Sequence, residues 1–278
     1  MSIDGFSRLL EHVGLRANTF YAGPLCGLHG FAAAEGVGHL HVIRSGEMRA
    51  LQAGHGAIVV REPSLLFYPR PLDHRLEIED TAVADVVCAS VHYAAGLENA
   101  VTQSFPAVVV IPFSALKRVD MTLQALFAEA AEANPGRQVM LDRLCDILLI
   151  QILRFAIQEQ LVTRGVLAGL AHPRLAGLLC ELLDDPRRPW TLDTMAARAH
   201  LSRNGFANEF RNVVGSTPAE FLTRIRIAQA QRLLRKGRPV ALVAADVGYN
   251  SQPAFSRAFI RELGLSPSAW IRGNATPT

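Results

Sequence analysis

Histidine and cysteine side chains recur at alternate positions of three apolar segments in the first third of the chain. His39, His41 and Ile43 alternate in one segment, and His74 and Cys88 occupy equivalent positions in two later ones. Alternate residues of a β-strand point to the same face. If these faces line the interior of a barrel, His41, His74 and Cys88 converge on one pocket suited to ligand binding or thiol oxidation. The alternative is that each packs as an ordinary core residue.

The cysteines are isolated from one another along the sequence. They lie far apart and form no CxxC pair, at Cys26, Cys88, Cys145 and Cys180. This spacing argues against a disulfide framework or a zinc knuckle and favours buried free thiols. Cys26 lies on a segment before the histidines and joins Cys88, His41 and His74 as a candidate for ligand or redox sensing.

Charge is distributed unevenly along the 278 residues. From His172 onward there are 15 Lys and Arg against 8 Asp and Glu, whereas the residues before it hold 13 against 17. A basic C-terminal part favours a polyanionic partner. No apolar run reaches the roughly 18 residues that a membrane span needs. Because the N-terminus also has no secretory pattern, we expect a cytoplasmic protein.

Two kinds of hydrophobic periodicity divide the chain. Residues 1–112 contain short apolar runs of period two separated by Gly, Pro and Asp, which predicts a small β-barrel or sandwich. From Leu116 the pattern is helical, with a first helix ending at Asn134 and a second over 139–162. The second helix is apolar on two faces, so one face can cover the barrel while the other meets a second subunit. An ordinary core helix is the alternative.

The C-terminal part contains an internal repeat. Each copy has the pattern helix, tight turn, helix, with small residues where the helices cross and two phenylalanines on the buried face. This predicts two helix-turn-helix units; a generic helical hairpin is the alternative for either copy alone. Seven positions recur at an offset of 49 residues: Ala196/Ala245, Ser202/Ser251, Phe206/Phe255, Phe210/Phe259, Gly215/Gly264, Pro218/Pro267 and Phe221/Trp270.

A glycine and a Ser/Thr-Pro pair end each copy. Gly215 and Gly264 follow the second helix, where a left-handed C-cap favours glycine. Thr217 and Ser266 can then cap the next helix, whose first turn tolerates the proline that follows. Thr191 is expected to cap the first helix of copy one in the same way.

One amphipathic helix over 218–236 joins the copies. At 1.5 Å per residue it spans roughly 28 Å, and the helix widths at its ends bring the two second helices about 34 Å apart, or one turn of B-DNA. Its basic residues can contact phosphates or form a solvated helix face: Arg224, Arg226, Arg232, Arg235, Lys236 and Arg238.

Residues 172–274 resemble the DNA-binding domain of the AraC/XylS family of bacterial transcription regulators. The resemblance is carried by LDTMAARAHLSRNGFANEFRNVVGSTPAEFL and VALVAADVGYNSQPAFSRAFIRELGLSPSAWIR. The second segment departs from the family signature by Ile271 before Arg272, and copy one carries Gly205 inside its recognition helix. The resemblance implies that exposed residues early in each second helix meet base edges in the major groove. These are Arg203, Asn204, Ala207 and Asn208 in copy one, and Ser251, Gln252, Ala254 and Arg257 in copy two.

The N-terminal part resembles the cupin-type sensor of one AraC branch, through LHVIRSG and LLFYPRPLDHRL. Catalytic cupins hold a metal with a His pair, a Glu and a later His, which His39, His41, Glu47 and His74 match in type. The His pair lies on the strand entering the Ser45-Gly46 turn, later than metal-binding pairs usually fall. A metal ion in the barrel is therefore an alternative to a metal-free pocket.

The layout is most similar to the reactive-chlorine-sensing members of that branch. In those proteins two cysteines of the sensor domain respond to oxidant. Cys88 matches one of them by position, whereas the other has no counterpart near Thr19 or Phe20, and Cys26 lies several residues later. One of the two cysteines is thus matched and the other is not, so oxidant sensing is one alternative for the sensor domain, beside a small molecule or a metal, and the role of Cys26 stays open.

These observations predict an α+β protein of two domains. A cupin-like β-barrel with following helices, over 1–165, would sense and dimerise; a linker follows over 166–173; an all-α double helix-turn-helix domain over 174–278 would bind DNA. We predict a transcription regulator that binds double-stranded promoter DNA, RNA polymerase and a small effector, with a homodimer formed through helix 139–162.

Two other function classes are consistent with parts of the chain. A metal-dependent cupin enzyme with an accessory helical domain would contain stoichiometric metal and lose turnover on substitution of His41. A suicidal alkyl-transfer repair protein would need a Pro-Cys-x-Arg acceptor, which none of the four cysteines matches.

Overall fold

A computed structural model describes residues 3–274, except 53, 55, 80, 94–101, 103, 117 and 118. The chain divides into two compact units. The first comprises residues 15–93 and 105–161, and the second includes the chain up to Gly14 and from Val162 onward. In the part of the chain described, no helix is long and apolar enough to cross a membrane.

The strands of the first unit form two antiparallel sheets, with the orders β1-β8-β3-β6-β9 and β2-β7-β4-β5. The strand pattern predicted a small β-barrel or sandwich; among the described residues the ladders end at edge strands and form two sheets, so the barrel that the cupin resemblance implied is not closed. The strands are β1 (Arg16–Leu25), β2 (Gly27–Phe31), β3 (Val37–Ser45), β4 (Met48–Gln52), β5 (Ile58–Val60), β6 (Ser64–Tyr68), β7 (His74–Ile78), β8 (Ala84–His92) and β9 (Val109–Pro112).

The two sheets share one apolar core. Side chains from both line it because alternate residues of each strand point inward, as in β7, where His74, Leu76 and Ile78 are buried. The core includes Leu25, Ile43, Met48, Ala50, Val60, Leu66, Tyr68, Leu76, Ile78, Val86 and Cys88. Histidine and cysteine therefore sit among aliphatic residues, where charge is costly.

A helix covers the free edge of β1. After a short 3₁₀ turn at Phe113–Ala115, helices α2 (Asp120–Ala131) and α3 (Arg137–Gln158) complete the unit. Asp146 accepts a hydrogen bond from the Ala17 N–H at 2.7 Å, and Asp142 from the Thr19 N–H at 2.6 Å. The α3 carboxylates thus satisfy backbone donors that an edge strand leaves unpaired.

The second unit is helical and includes the first helix of the chain. Helix α1 packs on α5 and α8, and Arg232 Nη1 on α8 donates to the Glu11 carbonyl at 3.3 Å. The helices are α1 (Ile3–Val13), α4 (Val166–Ala171), α5 (Ala176–Asp184), α6 (Leu192–Arg198), α7 (Arg203–Val214), α8 (Pro218–Arg235), α9 (Val240–Asp246), α10 (Gln252–Leu263) and α11 (Pro267–Asn274).

The segment expected to be a linker is largely helical. Helix α4 occupies most of residues 166–173, and Val166, Leu167 and Leu170 are buried. Five apolar residues in six allow this short helix to pack instead of spanning open solvent. The sequence indicated a break here because glycine, histidine and proline flank it.

The repeat has two offsets instead of one. The capping serines, phenylalanine pairs and terminal glycines of the two copies are 49 residues apart, as predicted. Before the turn the buried pair is Met195 and Ala196 in copy one and Val243 and Ala244 in copy two, an offset of 48. The pairing of Ala196 with Ala245 is therefore wrong, because the turn of copy two contains one more residue.

Candidate functional site

Both proposed recognition helices, α7 and α10, begin at a serine cap and end at a left-handed glycine. Ser202 Oγ accepts from the backbone N–H three residues later at 3.2 Å, and Ser251 Oγ does the same at 3.4 Å. Gly215 and Gly264 have φ of 84° and 72°, where glycine is favoured. The predicted C-caps are confirmed, and both helices have fixed starts and ends.

The predicted caps of the neighbouring helices also form. Thr191 Oγ1 accepts from a backbone N–H of α6 at 3.1 Å. Thr217 and Glu220 form a reciprocal capping box at the start of α8, and these hydrogen bonds lower the pKa of the Glu220 carboxyl. Ser266 Oγ accepts from the first turn of α11 at 3.2 Å. Each copy is thus tied to the next helix by side-chain caps.

The predicted base-reading residues lie in the first half of α7 and α10, apart from Ser251, which caps α10. Ala207 and Ala254 are half-buried, while the other six are exposed: Arg203, Asn204, Asn208, Ser251, Gln252 and Arg257. The glycine at position 205, inside α7, has a local structural reason, because a Cβ there would lie 2.9 Å from Ser202 Oγ. The arrangement presents hydrogen-bonding groups where a major groove would receive them; base reading itself stays a prediction.

The basic residues of α8 and its C-terminal end are largely engaged within the unit. Arg232 binds the Glu11 carbonyl, Arg238 pairs with Asp246, and the Arg235 guanidinium lies 5.3 Å from the centre of the Trp270 ring. Burial lowers the pKa of Arg232. Much of the charge that the sequence suggested for phosphate contacts therefore has a structural use.

In the first unit, His41, His74 and Cys88 meet as predicted. His41 on β3 pairs in register with Cys88 on β8, while His74 comes from the other sheet. His41 Nδ1 is 3.1 Å from Cys88 Sγ, and His41 Nε2 is 2.8 Å from His74 Nε2. His74 Nδ1 is 2.8 Å from the Leu72 carbonyl. These four groups form one hydrogen-bonded chain.

The direction of that chain follows from its last member. A carbonyl only accepts, so His74 Nδ1 carries a proton and donates to Leu72. In neutral His74, Nε2 is then an acceptor, so His41 donates from Nε2. His41 Nδ1 is left as an acceptor for the Cys88 S–H. The neutral form therefore has one arrangement of protons, running from the thiol to the backbone.

Burial keeps this chain uncharged. It lowers the pKa of His41 well below its usual value, and the neighbouring His74 lowers it further. Burial also lowers the pKa of His74 to about 4 and raises that of Cys88 to about 12. Near pH 7 both imidazoles are neutral and the sulfur is a thiol, which is a weak nucleophile.

Aromatic rings surround the hydrogen-bonded chain of Cys88, His41 and His74. The Tyr68 ring stacks on His74 with centroids 3.8 Å apart, the Phe31 ring stacks on His74 at 5.1 Å, and Phe31 is tilted against His41 at 4.7 Å. A cavity of about 200 Å³ reaches Cys88; it is lined by Phe20, Tyr21, Leu25, His29, Gly30, Phe31 and Cys88. His39 lies beside it with a buried Nδ1 that lacks a hydrogen-bond partner among the described residues.

Cys26 lies apart from the buried hydrogen-bonded chain. Its side chain is exposed, between β1 and β2, and its carbonyl accepts from His29 Nε2 at 2.7 Å. Cys145 on α3 was not among the predicted sensing residues; it is buried, which raises its pKa to about 12, and its Sγ accepts from Thr19 Oγ1 at 3.7 Å. The isolated spacing of the cysteines predicted a buried free thiol here but carried no information about which strand it faces.

The residues do not fit a resident metal ion. Among the described residues, no group of three or more His, Cys, Asp or Glu side chains is placed to hold one. The nitrogens of His41 and His74 that would bind a metal are hydrogen-bonded to each other at 2.8 Å. Glu47 is exposed and paired with Arg61. The metal set of His39, His41, Glu47 and His74 is therefore not assembled.

Comparison with known proteins separates the same two parts. The sequence model of the Cupin family matches residues 4–158, more than half of the chain, and a helix-turn-helix domain model matches residues 195–273. The "RCS-specific HTH-type transcriptional activator RclR" of Escherichia coli is 29% identical over 84% of this chain and 86% of its own length.

Two other relatives match smaller shares. An HTH-type transcriptional regulator of Haemophilus influenzae is 35% identical over 53% of this chain and half of its own length. The crystal structure of the DNA-binding domain of AdpA, in complex with a target DNA, is 36% identical, covers 37% of this chain and 93% of that chain, and has a TM-score of 0.36.

Proposed function

The chain belongs to the AraC/XylS regulators that carry an N-terminal cupin domain, and we propose that it reads a bipartite operator with α7 and α10. It is a DNA-binding transcription regulator and not an enzyme. The supporting observation is that both helices expose polar side chains near their starts, and that each begins at a serine cap and ends at a left-handed glycine. Arg pairs with guanine and Asn or Gln with adenine. The proposed readers are Arg203, Asn204, Ala207, Asn208, Ser251, Gln252, Ala254 and Arg257.

Substitution of Arg257 tests the readout. The probe is a duplex that the wild-type chain selects from a random-sequence library, measured by fluorescence anisotropy beside a scrambled duplex. Arg257→Ala should cost about 1–3 kcal/mol on the selected duplex, roughly five- to 150-fold in Kd, and little on the scrambled one. Arg261→Ala, one turn later and paired with Glu262, is the control. Equal losses on both duplexes for Arg257→Ala would reject base reading there.

For the first unit, we propose that the cavity above Cys88 admits a small uncharged oxidant. The cavity is narrow and partly aromatic, and the Cys88–His41–His74 chain is neutral, so a large or charged reagent is excluded by size and desolvation. The name of the RCS-specific relative supports a reactive chlorine species. Hypochlorous acid would transfer chlorine to Sγ to give a sulfenyl chloride, while its hydroxide leaves with the thiol proton as water.

Mass spectrometry of the intact chain after mild hypochlorite tests this step. We expect a mass gain at Cys88 that Cys88→Ser abolishes, and a slower gain in His41→Leu, which lacks the acceptor for the thiol proton. A bulky charged alkylating reagent should instead label the exposed Cys26 first. Modification at Cys26 alone, with a DNA-binding response to hypochlorite retained in Cys88→Ser, would overturn the assignment.

Four further expectations from the sequence are part of the proposal. Helix α3 exposes Val139, Met140 and Ile147, which supports a homodimer through residues 139–162. Light scattering of Ile147→Asp would show a monomer if this face is the interface. The boundaries 1–165 and 174–278, a cytoplasmic location and a contact with RNA polymerase are proposed with it.

A further inference from the structure

Arg226, near the middle of α8, is unlike its basic neighbours on that helix. Its guanidinium is half-buried, which lowers its pKa, and it donates two hydrogen bonds to backbone carbonyls. Nε binds the Pro186 carbonyl at 2.8 Å, and Nη2 binds the Arg188 carbonyl at 3.1 Å. Both carbonyls belong to the loop between α5 and α6, which leads into copy one. Arg226 therefore attaches the loop that leads into copy one to the joining helix, α8.

The same guanidinium also contacts copy two. The carbon at its centre lies 5.5 Å from the centre of the Tyr249 ring, in the turn between α9 and α10. The neighbouring Gly248 is packed so closely that an added Cβ would lie 2.8 Å from Arg187 Cα and 3.0 Å from Arg226 Nη2. The turn of copy two thus touches the loop of copy one at Arg226.

This contact restricts a movement that the joining helix alone would allow. Helix α8 packs into each copy separately, through Phe221 against Phe210 in copy one and through Ile227, Ala230 and Leu234 in the core of copy two, and these apolar contacts join each copy to α8 rather than to the other copy. A planar guanidinium that binds two carbonyls and stacks on a ring has one orientation. The contact therefore fixes the rotation between the copies.

We propose that Arg226 is a positioning residue that sets the spacing of the two half-sites the protein accepts. The proposal rests on the proposed reading of a bipartite operator by α7 and α10. Inserting one base pair between half-sites moves one of them by about 3.4 Å and rotates it by about 34°. A rigid pair of helices cannot follow this change, whereas a pair released from Arg226 can.

The test compares duplexes in which the distance between the half-sites differs by one base pair. The starting duplex is the one selected by the wild-type chain, and a duplex with either half-site alone is included. Wild type should lose at least about tenfold in affinity on insertion or deletion. In Arg226→Met, which keeps an unbranched side chain but removes the guanidinium, the loss should fall below about threefold. Binding at the selected spacing weakens, binding at a changed spacing is no longer opposed by the fixed rotation, and half-site binding is unchanged. Arg224→Met on the same helix is the control and should keep the wild-type penalty.

Two results would overturn the proposal. One is a wild-type spacing penalty in Arg226→Met. The other is a uniform loss on all duplexes with a salt slope lower by about one on the half-site duplex, which would identify a phosphate contact. If Arg226→Met does not fold, Arg226→Lys decides, because it keeps the charge but cannot bind both carbonyls in a fork. Failure of base reading itself would be seen separately in Arg257→Ala.

Discussion

The two helix-turn-helix copies are nearly identical in their cores and different in their turns. In copy one the ring centroids of Phe206, Phe210 and Phe221 follow one another at 5.5 and 5.6 Å. In copy two those of Phe255, Phe259 and Trp270 follow at 5.5 and 6.0 Å. The part of each copy that carries the recognition helix is therefore conserved in geometry, while the connection before it varies in length.

The turns differ because their surroundings differ. The left-handed residue of copy one is His200, with φ of 54°, and it is exposed; in copy two it is Gly248, with φ of 85°. A side chain at Gly248 would meet the Arg187 backbone. Copy one can accept a strained but solvated histidine, whereas copy two needs glycine because its turn packs against another loop. The turn of copy two is an internal contact as well as a connection.

The shared cores predict equal and large losses on truncation. Phe210→Ala and Phe259→Ala should each lower the free energy of unfolding by about 3–5 kcal/mol, because each removes a fully buried ring between two others. Urea unfolding of the full chain, followed by tryptophan fluorescence and circular dichroism, measures this; both tryptophans, Trp190 and Trp270, belong to the helical unit. A loss confined to one substitution would mean that the two cores are not equivalent.

The turns predict unequal losses. Gly248→Ala should cost about 2–4 kcal/mol, because the new Cβ is strained at positive φ and collides with the Arg187 backbone. His200→Ala replaces one left-handed, exposed L-residue by another and should stay within about 0.5 kcal/mol. The same urea experiment measures both. Similar costs at the two positions would show that the contact between Gly248 and Arg187 does not form.

The parts of the fold that could be predicted from sequence are those with local causes. The terminal glycines, the threonine caps and the paired phenylalanines each follow from a rule that acts within one or two turns of helix. Strand alternation likewise brought His41, His74 and Cys88 to one interior.

The parts that were missed depend on contacts between distant segments. The offset of 48 before the turn, the helix at 166–171 and the packing of α1 in the helical unit leave no short-range pattern. Arg226 illustrates the limit most directly. On a helical wheel it is one more basic residue of α8. Its connection to the loop before copy one depends on the position of the Pro186 and Arg188 carbonyls, which the sequence does not reveal.

The smallest expected difference concerns the serine caps. Ser202→Ala should cost about 1 kcal/mol and Ser251→Ala about 0.5 kcal/mol, within the range for N-cap serines. The hydrogen bond is shorter in copy one, 3.2 against 3.4 Å. Copy one also has Gly205 in its first turn, which disfavours helix, while Pro253 in copy two has no N–H to satisfy and suits a first turn.

The cap substitutions also separate stability from DNA binding. Fraying the first turn of α7 would release Arg203 and Asn204, so Ser202→Ala should weaken binding to the selected duplex although Ser202 is not itself a proposed reader. Ser251 is both a cap and a proposed reader, so its substitution is compared for stability only. Anisotropy with that duplex, beside the urea measurement, gives both quantities. Ser216→Ala, at a buried position outside both recognition helices, is the control for binding. If Ser251→Ala lowered the free energy of unfolding more than Ser202→Ala, copy two would depend more on its cap, and the proline would not stabilise the start of α10.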